Sequence, residues 1–192
     1  MTKKGYYRKE IYQNTPETEK YLFQAAIKDI IIDQEKIFGI EIGVLYGETT
    51  RFLLSLNDKI NLVGIDPIVP DSMEATLIGD MEIIKQNIER YKERYTHIKD
   101  FSYNVSGHFT NHSQDFIFID GDHTYKAVGL DYRLYFEKIK KGGLFFFHDS
   151  RMNRGGANFH IGSSKFVDEL ISSDNRLELI GEAFSLTCFR KR

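Results

Sequence analysis

Residues 37–50 read IFGIEIGVLYGETT, and the fold turns on this stretch. A short apolar run of strand character carries Glu41 and Gly43 at its end and turns through Gly47. It then gives way to TTRFLLSL (49–56), whose apolar residues recur at helical spacing. A strand passing through a glycine turn into a helix is the opening unit of an open α/β sheet, where ligands sit beyond the carboxyl ends of the strands. Gly43 and Gly47 allow a tight turn and close approach of a ligand to the backbone before a helix N-terminus. The spacing is EIGxxxG, not GxGxxG: Leu45 occupies the place of the second glycine that admits a pyrophosphate, which argues against a dinucleotide.

Working outward, the same alternation continues in both directions. Upstream, Pro16 to Glu35 carries Phe23, Ala26, Ile27, Ile30 and Ile31 at helical spacing, with Thr15 placed to cap it. Downstream, NLVGIDP is a second strand stopped by Pro67, Met73 to Tyr95 reads as one long amphipathic helix, and a short strand is expected over Ile98 to Phe101. DFIFID is a buried strand and TYKAVGLDYRLYFEKI a helix. After a break at Gly142–Gly143, LFFFHD is a strand apolar enough to be covered on both faces. SKFVDELI adds a helix, and LELIG with SLTCFRK closes the chain as a hairpin around Glu182 and Ala183. The expectation is an α/β domain spanning 1–192: a Rossmann-like, mostly parallel sheet with helices on both faces and one antiparallel member at the end. Residues 1–35 form an N-terminal helical or lid segment and 36–192 the core.

Composition narrows the classes of function. The chain has 192 residues, 41% hydrophobic and 28% charged, with a formal net charge of -2. Acids and bases are spread along it, so there is no basic stripe for nucleic acid. No run approaches the roughly 20 apolar residues that span a bilayer, and MTKKGYYRKEIYQNT lacks the apolar core of a signal peptide. Cys188 is the single cysteine, read as a small core residue in a reducing, cytoplasmic setting.

The polar residues that close each strand are the candidate site. In order they are Glu41 and Gly43 through Thr49, then Asp66, then Asp120-Gly-Asp122-His123, then His148-Asp149-Ser150. Buried carboxylates are costly unless paired or ligated, so several strands delivering them to one rim speaks for function. Asp66 lies about 20 residues past the glycine turn, where a carboxylate accepts hydrogen bonds from adenosine ribose hydroxyls.

EIGVLYGETT, GIDP, FIDGDHTYKAVGLDYRLYFEKIKKGGLFFFHDS and ELIGEAFSLTCFRK together resemble class I S-adenosylmethionine-dependent methyltransferases. The resemblance is to methyltransferase family 24, related to cephalosporin-biosynthesis and macrolide or aminocoumarin sugar methyltransferases, and runs from about Phe38 to the C-terminus. It implies a seven-stranded sheet ending in an antiparallel hairpin, with Glu41, Gly43, Gly47 and Thr49 around the methionine part of the cofactor. Asp66 would take the ribose, Ser102 would meet the adenine, and Asp120 would border the cofactor. Many relatives use a divalent cation, and by position its ligands become Asp120, Asp149 and Ser150, a set of hard oxygens suited to Mg²⁺. Ser150 departs from the Asn or Asp of those relatives. Asp122 could supply the missing oxygen or face the cationic sulfonium.

His123 and His148 are the candidate bases for removing a proton from an acceptor hydroxyl. The glycine-rich segment Arg151 to Ser163 is placed to close over the site, and Arg151 and Arg154 could pair with an anionic group of the substrate. Tyr6, Tyr7 and Tyr12 could form a lid or a subunit contact. The expected partner is a small hydroxylated acceptor, and the resemblance also raises a homo-oligomer. A non-catalytic binding module and a nucleotide-dependent oxidoreductase stand as alternatives, as does methylation of RNA or protein.

Overall fold

The computed structural model describes residues 16–32, 34–70, 78–151 and 161–192. Seven strands form one sheet: β1 (Ile37–Ile42), β2 (Ile60–Ile65), β3 (Tyr95–Ile98), β4 (Gln114–Ile119), β5 (Ile139–Phe147), β6 (Leu177–Ala183) and β7 (Leu186–Lys191). Their order is β3-β2-β1-β4-β5-β7-β6. The pairs among β1 to β5 are parallel, whereas β7 runs antiparallel to both β5 and β6. The helices are α1 (Pro16–Ile31), α2 (Glu48–Leu56), α3 (Met81–Ile88), α4 (Ser102–Val105), α5 (Tyr125–Tyr135) and α6 (Ile161–Ser173).

Period-two alternation divides the strand side chains between two faces. On β4 and β5, Phe116, Phe118, Leu144 and Phe146 join one apolar cluster with Leu22, Phe23, Ala26 and Ile27 of α1 and Leu53 and Leu54 of α2. Ile117, Ile119, Phe145 and Phe147 point the other way, onto Val128, Tyr132 and Tyr135 of α5 and Phe166, Val167 and Leu170 of α6. Strands covered on both sides need unbroken apolar runs, as DFIFI and LFFF have.

Three expectations on elements change. The long helix expected from Met73 to Tyr95 is α3, started by Asp80, whose carboxylate accepts from the Glu82 and Ile83 amides, and then a 3-10 turn over Glu89–Arg94. Residues 71–77 lie outside the described set. Tyr95 already belongs to β3, because Thr96, His97 and Ile98 pair with Val63, Gly64 and Ile65, and the strand ends before Phe101. The Gly142–Gly143 break is not a break: β5 begins at Ile139 and runs through both glycines, with an irregularity in its pairing to β4 and Gly142 at φ +82°. The helix before it accordingly stops at Tyr135. Thr15, Tyr6, Tyr7, Tyr12 and Arg154 lie outside the described residues.

The register then sets the site. Ile42 pairs with Ile65 and with Ile119, and Ile119 pairs with Phe147. One residue further on, Gly43, Asp66, Asp120 and His148 therefore stand abreast at the carboxyl edge. Amides there bond sideways to the last strand carbonyls: Gly43 to Ile65 at 2.9 Å, Asp120 to Ile42 at 2.8 Å and His148 to Ile119 at 3.0 Å.

Candidate active site

A cavity of about 840 Å³ opens along this edge, within the range of cofactor sites, and Glu41, Asp66, Ser102, Asp120, His123 and Asp149 all reach its wall. Gly43, Thr49, Asp122 and His148 line it as well.

The glycine turn shapes the floor. A Cβ on Gly43, which sits at φ +86°, would collide with the Asp120 carbonyl where β1 and β4 run side by side. Gly47 begins α2 at φ +76°, and Leu45 takes φ +53° without being glycine. The Leu45 and Val44 amides are held by Asp66, whose Oδ2 accepts from both at 2.9 and 2.8 Å, while its Oδ1 accepts from Ile68 at 2.7 Å. Asp66 thus braces the turn as well as facing the cavity.

Glu41 is almost fully buried at the end of β1 and accepts a 2.5 Å hydrogen bond from Thr50 Oγ1. Burial pushes its carboxyl up to about 8, with Asp120 and Asp66 adding repulsion against the Thr50 bond. Thr49, the residue the sequence points to, lines the cavity, and its neighbour Thr50 is the residue that holds Glu41.

At the other end of the rim two histidines and two aspartates converge. His148 Nδ1 lies 3.1 Å from Asp120 Oδ1 and 3.3 Å from Asp149 Oδ2; His123 Nε2 lies 3.5 and 3.4 Å from the same two oxygens. The other nitrogen of His148 faces Glu19 of α1 at 3.2 Å, and Glu19 also accepts from the Ser185 amide and hydroxyl at 2.9 and 2.6 Å. Burial disfavours charge on His148, yet Asp120, Asp149 and Glu19 together raise its pKa well above the usual value. Burial likewise works against Asp120, but the two imidazoles overcome it and hold the carboxyl far below the ordinary range. Asp149 is lowered too, chiefly by His148 against the cost of burial. Its backbone is left-handed at φ +47°, a strained turn of the kind that persists at functional sites. Asp120, His123 and Asp149 can offer ligand atoms all within 4.8 Å of one another.

Two expectations need correction. Ser150 does not join the candidate ligands. It is fully buried, with its hydroxyl bonded to the carbonyls of Phe147 and Ser185 at 3.0 and 2.8 Å and to Thr187 Oγ1 at 2.7 Å. Those partners lie at the end of β5, in the turn before β7 and in β7 itself, so the side chain stitches the sheet. Arg151 is not free to meet an anionic substrate: it is buried and paired with Asp168 at 2.7 Å and with Glu182. Most of the segment expected to close over the site, 152–160, lies outside the described residues.

Ser102 does reach the cavity, but its hydroxyl donates to Asp131 of α5. Asp131, Thr50 and Glu19 were missed from sequence. Asp131 had a signal: it falls beside the buried stripe Val128, Tyr132 and Tyr135 of one helix, where a carboxylate needs a reason. Glu19 had none, its partner lying 129 positions away.

An edge-of-sheet cavity on this strand order, bounded by a glycine turn and the Asp66 carboxylate, defines the class of S-adenosylmethionine-dependent methyltransferases. Comparison with known proteins agrees. A profile of the methyltransferase domain called methyltransferase family 24 matches residues 40–150, and the chain belongs to that family. An uncharacterized protein of Acanthamoeba polyphaga mimivirus is 29% identical over 161 residues, 78% of this chain and 69% of its own. Among solved structures, a Corynebacterium glutamicum protein superposes with TM-score 0.65 at 17% identity, over 92% of this chain and 81% of its own. The O-methyltransferase TomG of Streptomyces achromogenes, in complex with SAM, gives 0.60 at 11%, over 90% and 79%. MycE of the mycinamycin pathway, in complex with Mg, SAH and mycinamycin VI, gives 0.60 at 14%, over 89% and 48%. At these identities the structural likeness speaks for the fold. Among the described residues no helix is long and apolar enough to cross a membrane.

Proposed function

We propose that the protein methylates a hydroxyl oxygen of a small molecule, with His123 as the base and a divalent cation such as Mg²⁺ held by Asp120 and Asp149. The observation that carries this reading is the meeting of Asp120, His123, His148 and Asp149 at one end of the cofactor cavity. Two carboxylates from adjacent strand ends fit a hard cation that keeps several waters. The cation, when bound, supplies Lewis acidity that lowers the pKa of the acceptor hydroxyl.

The chain's own groups do the remaining work. His148 has both ring nitrogens turned to carboxylates and its pKa raised, so it orients Asp120 and Asp149 and is a poor proton acceptor near neutral pH. His123, whose Nε2 lies within 3.5 Å of the same two carboxylate oxygens, takes the proton as the acceptor oxygen attacks the methyl group. Asp122, whose Oδ1 accepts from the Thr124 amide at 2.8 Å, adds negative charge to the wall the sulfonium would face. Most of the gain comes from holding oxygen, methyl carbon and sulfur in line. The small-molecule acceptor is favoured by the absence of a basic stripe in the sequence, and the MycE complex with Mg, SAH and mycinamycin VI offers a parallel.

The test is methyl transfer from labelled S-adenosylmethionine to a panel of hydroxylated small molecules, with and without Mg²⁺. The His123→Gln variant should lose about 100-fold or more in turnover while still binding S-adenosylhomocysteine. Full turnover by the variant would remove His123 from the role of base.

A further inference from the structure

Glu41 of β1, Gly64 of β2 and His97 of β3 stand abreast in the sheet, Glu41 paired with Gly64 and Gly64 with His97. Gly64 has no side chain, and the place above it is filled from the side. Tyr95 lies two residues before His97 and so on the same face of β3. It reaches across β2, where a Cβ on Gly64 would collide with its hydroxyl. The Tyr95 oxygen lies 3.0 Å from His97 Nδ1, and its other hydrogen-bonding neighbour is the Thr50 hydroxyl. Thr50, fully buried, in turn donates to Glu41 Oε2 at 2.5 Å. Four side chains therefore make one run of contacts from the β3 edge of the sheet to the cofactor cavity, whose lining includes Glu41.

Tyr95 stays a neutral phenol there, because burial and the nearby Glu41 carboxyl push its ionisation up. What its hydroxyl does follows from Thr50. A threonine in a helix can turn its hydroxyl back to a carbonyl of the preceding turn, and Thr50 stands in the first turn of α2. A hydrogen-bonding partner on the threonine oxygen opposes that rotation and keeps the Thr50 hydrogen on Glu41 Oε2. The carboxyl group, fixed at one oxygen, has the other left for a ligand. Glu41 pairs with no cation among the described residues, and a buried carboxylate is costly until one arrives.

We propose that Tyr95 is a positioning residue of the cofactor site: acting through Thr50, it holds the Glu41 carboxyl for the ammonium group of the cofactor's methionine part. Gly64 makes the room this arrangement needs. The inference rests on S-adenosylmethionine being the cofactor and on Glu41 facing that part of it.

The experiment is calorimetric binding of S-adenosylhomocysteine and of 5′-deoxy-5′-methylthioadenosine, which shares the adenosine and the sulfur but lacks the amino acid part. Wild type, Tyr95→Phe, Glu41→Gln and the double variant are compared by the ratio of the two affinities, and methylthioadenosine binding reports that each sample is folded. Tyr95→Phe should lower the ratio by about three- to tenfold and leave the methylthioadenosine affinity near that of wild type. In the Glu41→Gln background the same change should leave the ratio where it is. Thr50→Val, which keeps the shape of the side chain, should lower the ratio at least as far, and decides the matter if Tyr95→Phe does not fold. Equal loss for both ligands, an unchanged ratio, or a fall as large without Glu41 overturns the inference. A folded wild type that binds neither ligand removes the cofactor reading. One that binds both, with a ratio that Glu41→Gln does not change, keeps the cofactor and ends the role of Glu41 and of Tyr95.

Discussion

Replacing Glu41 by glutamine should stabilise the protein, and by more as the pH rises. Glu41 is 1% exposed and its carboxyl is pushed from 4.5 up to about 8, mainly by burial. The unfolded chain gives up this proton near 4.5 while the folded one keeps it until about 8. Between those values the unfolded state binds fewer protons, so stability falls as pH rises. Each unit of displacement is worth about 1.4 kcal/mol; at pH 7 the loss has accumulated over some 2.5 units, which comes to about 3 kcal/mol. Glutamine does not titrate and keeps an oxygen for the Thr50 hydroxyl, which now donates at 2.5 Å. Thermal unfolding of both proteins from about pH 5 to pH 9 is the assay. The gap should be small at the acid end and open to roughly 6–12 °C by pH 7 for a chain of this size, levelling off above pH 8. A gap that does not change with pH, or a variant less stable throughout, would refute the reasoning.

Ser150→Ala should cost about 1–3 kcal/mol, because three partners in β5, β7 and their turns lose one buried hydroxyl. Calorimetric affinity for Mg²⁺ or Mn²⁺ should be unchanged, and a large loss would return Ser150 to the ligand set. Arg151→Ala should destabilise by about 2 kcal/mol, leaving Asp168 and Glu182 without their shared cation. Its KM for an anionic acceptor should match wild type; a large rise would restore Arg151 to substrate binding.

Much of the architecture was legible because strand edges and burial leave marks in sequence. DFIFI and LFFF could only be covered strands, and the polar residue after each had to fall on one rim once the strands ran parallel. The Leu45 departure from a dinucleotide motif was equally visible, although only the structure puts that leucine at φ +53°. Element ends were harder. Gly142–Gly143 looks like a stop signal, yet pairing to β4 on one side and β7 on the other carries β5 toward Phe147 from Ile139. Ser150 was assigned by its place in a motif, but a single φ-positive residue, Asp149, turns the chain and sends the serine to β7 instead of the cavity. Glu19 and Asp131 become site residues through contacts with His148 and Ser102, across 129 and 29 positions, and no local pattern encodes such a meeting.

The central claim is that the edge cavity binds S-adenosylmethionine, and titration with S-adenosylhomocysteine beside an Asp66→Ala variant tests it most directly. Micromolar binding by wild type that weakens at least about tenfold in the variant is the predicted result. No binding by folded wild-type protein, with NADH bound in its place, would contradict the account.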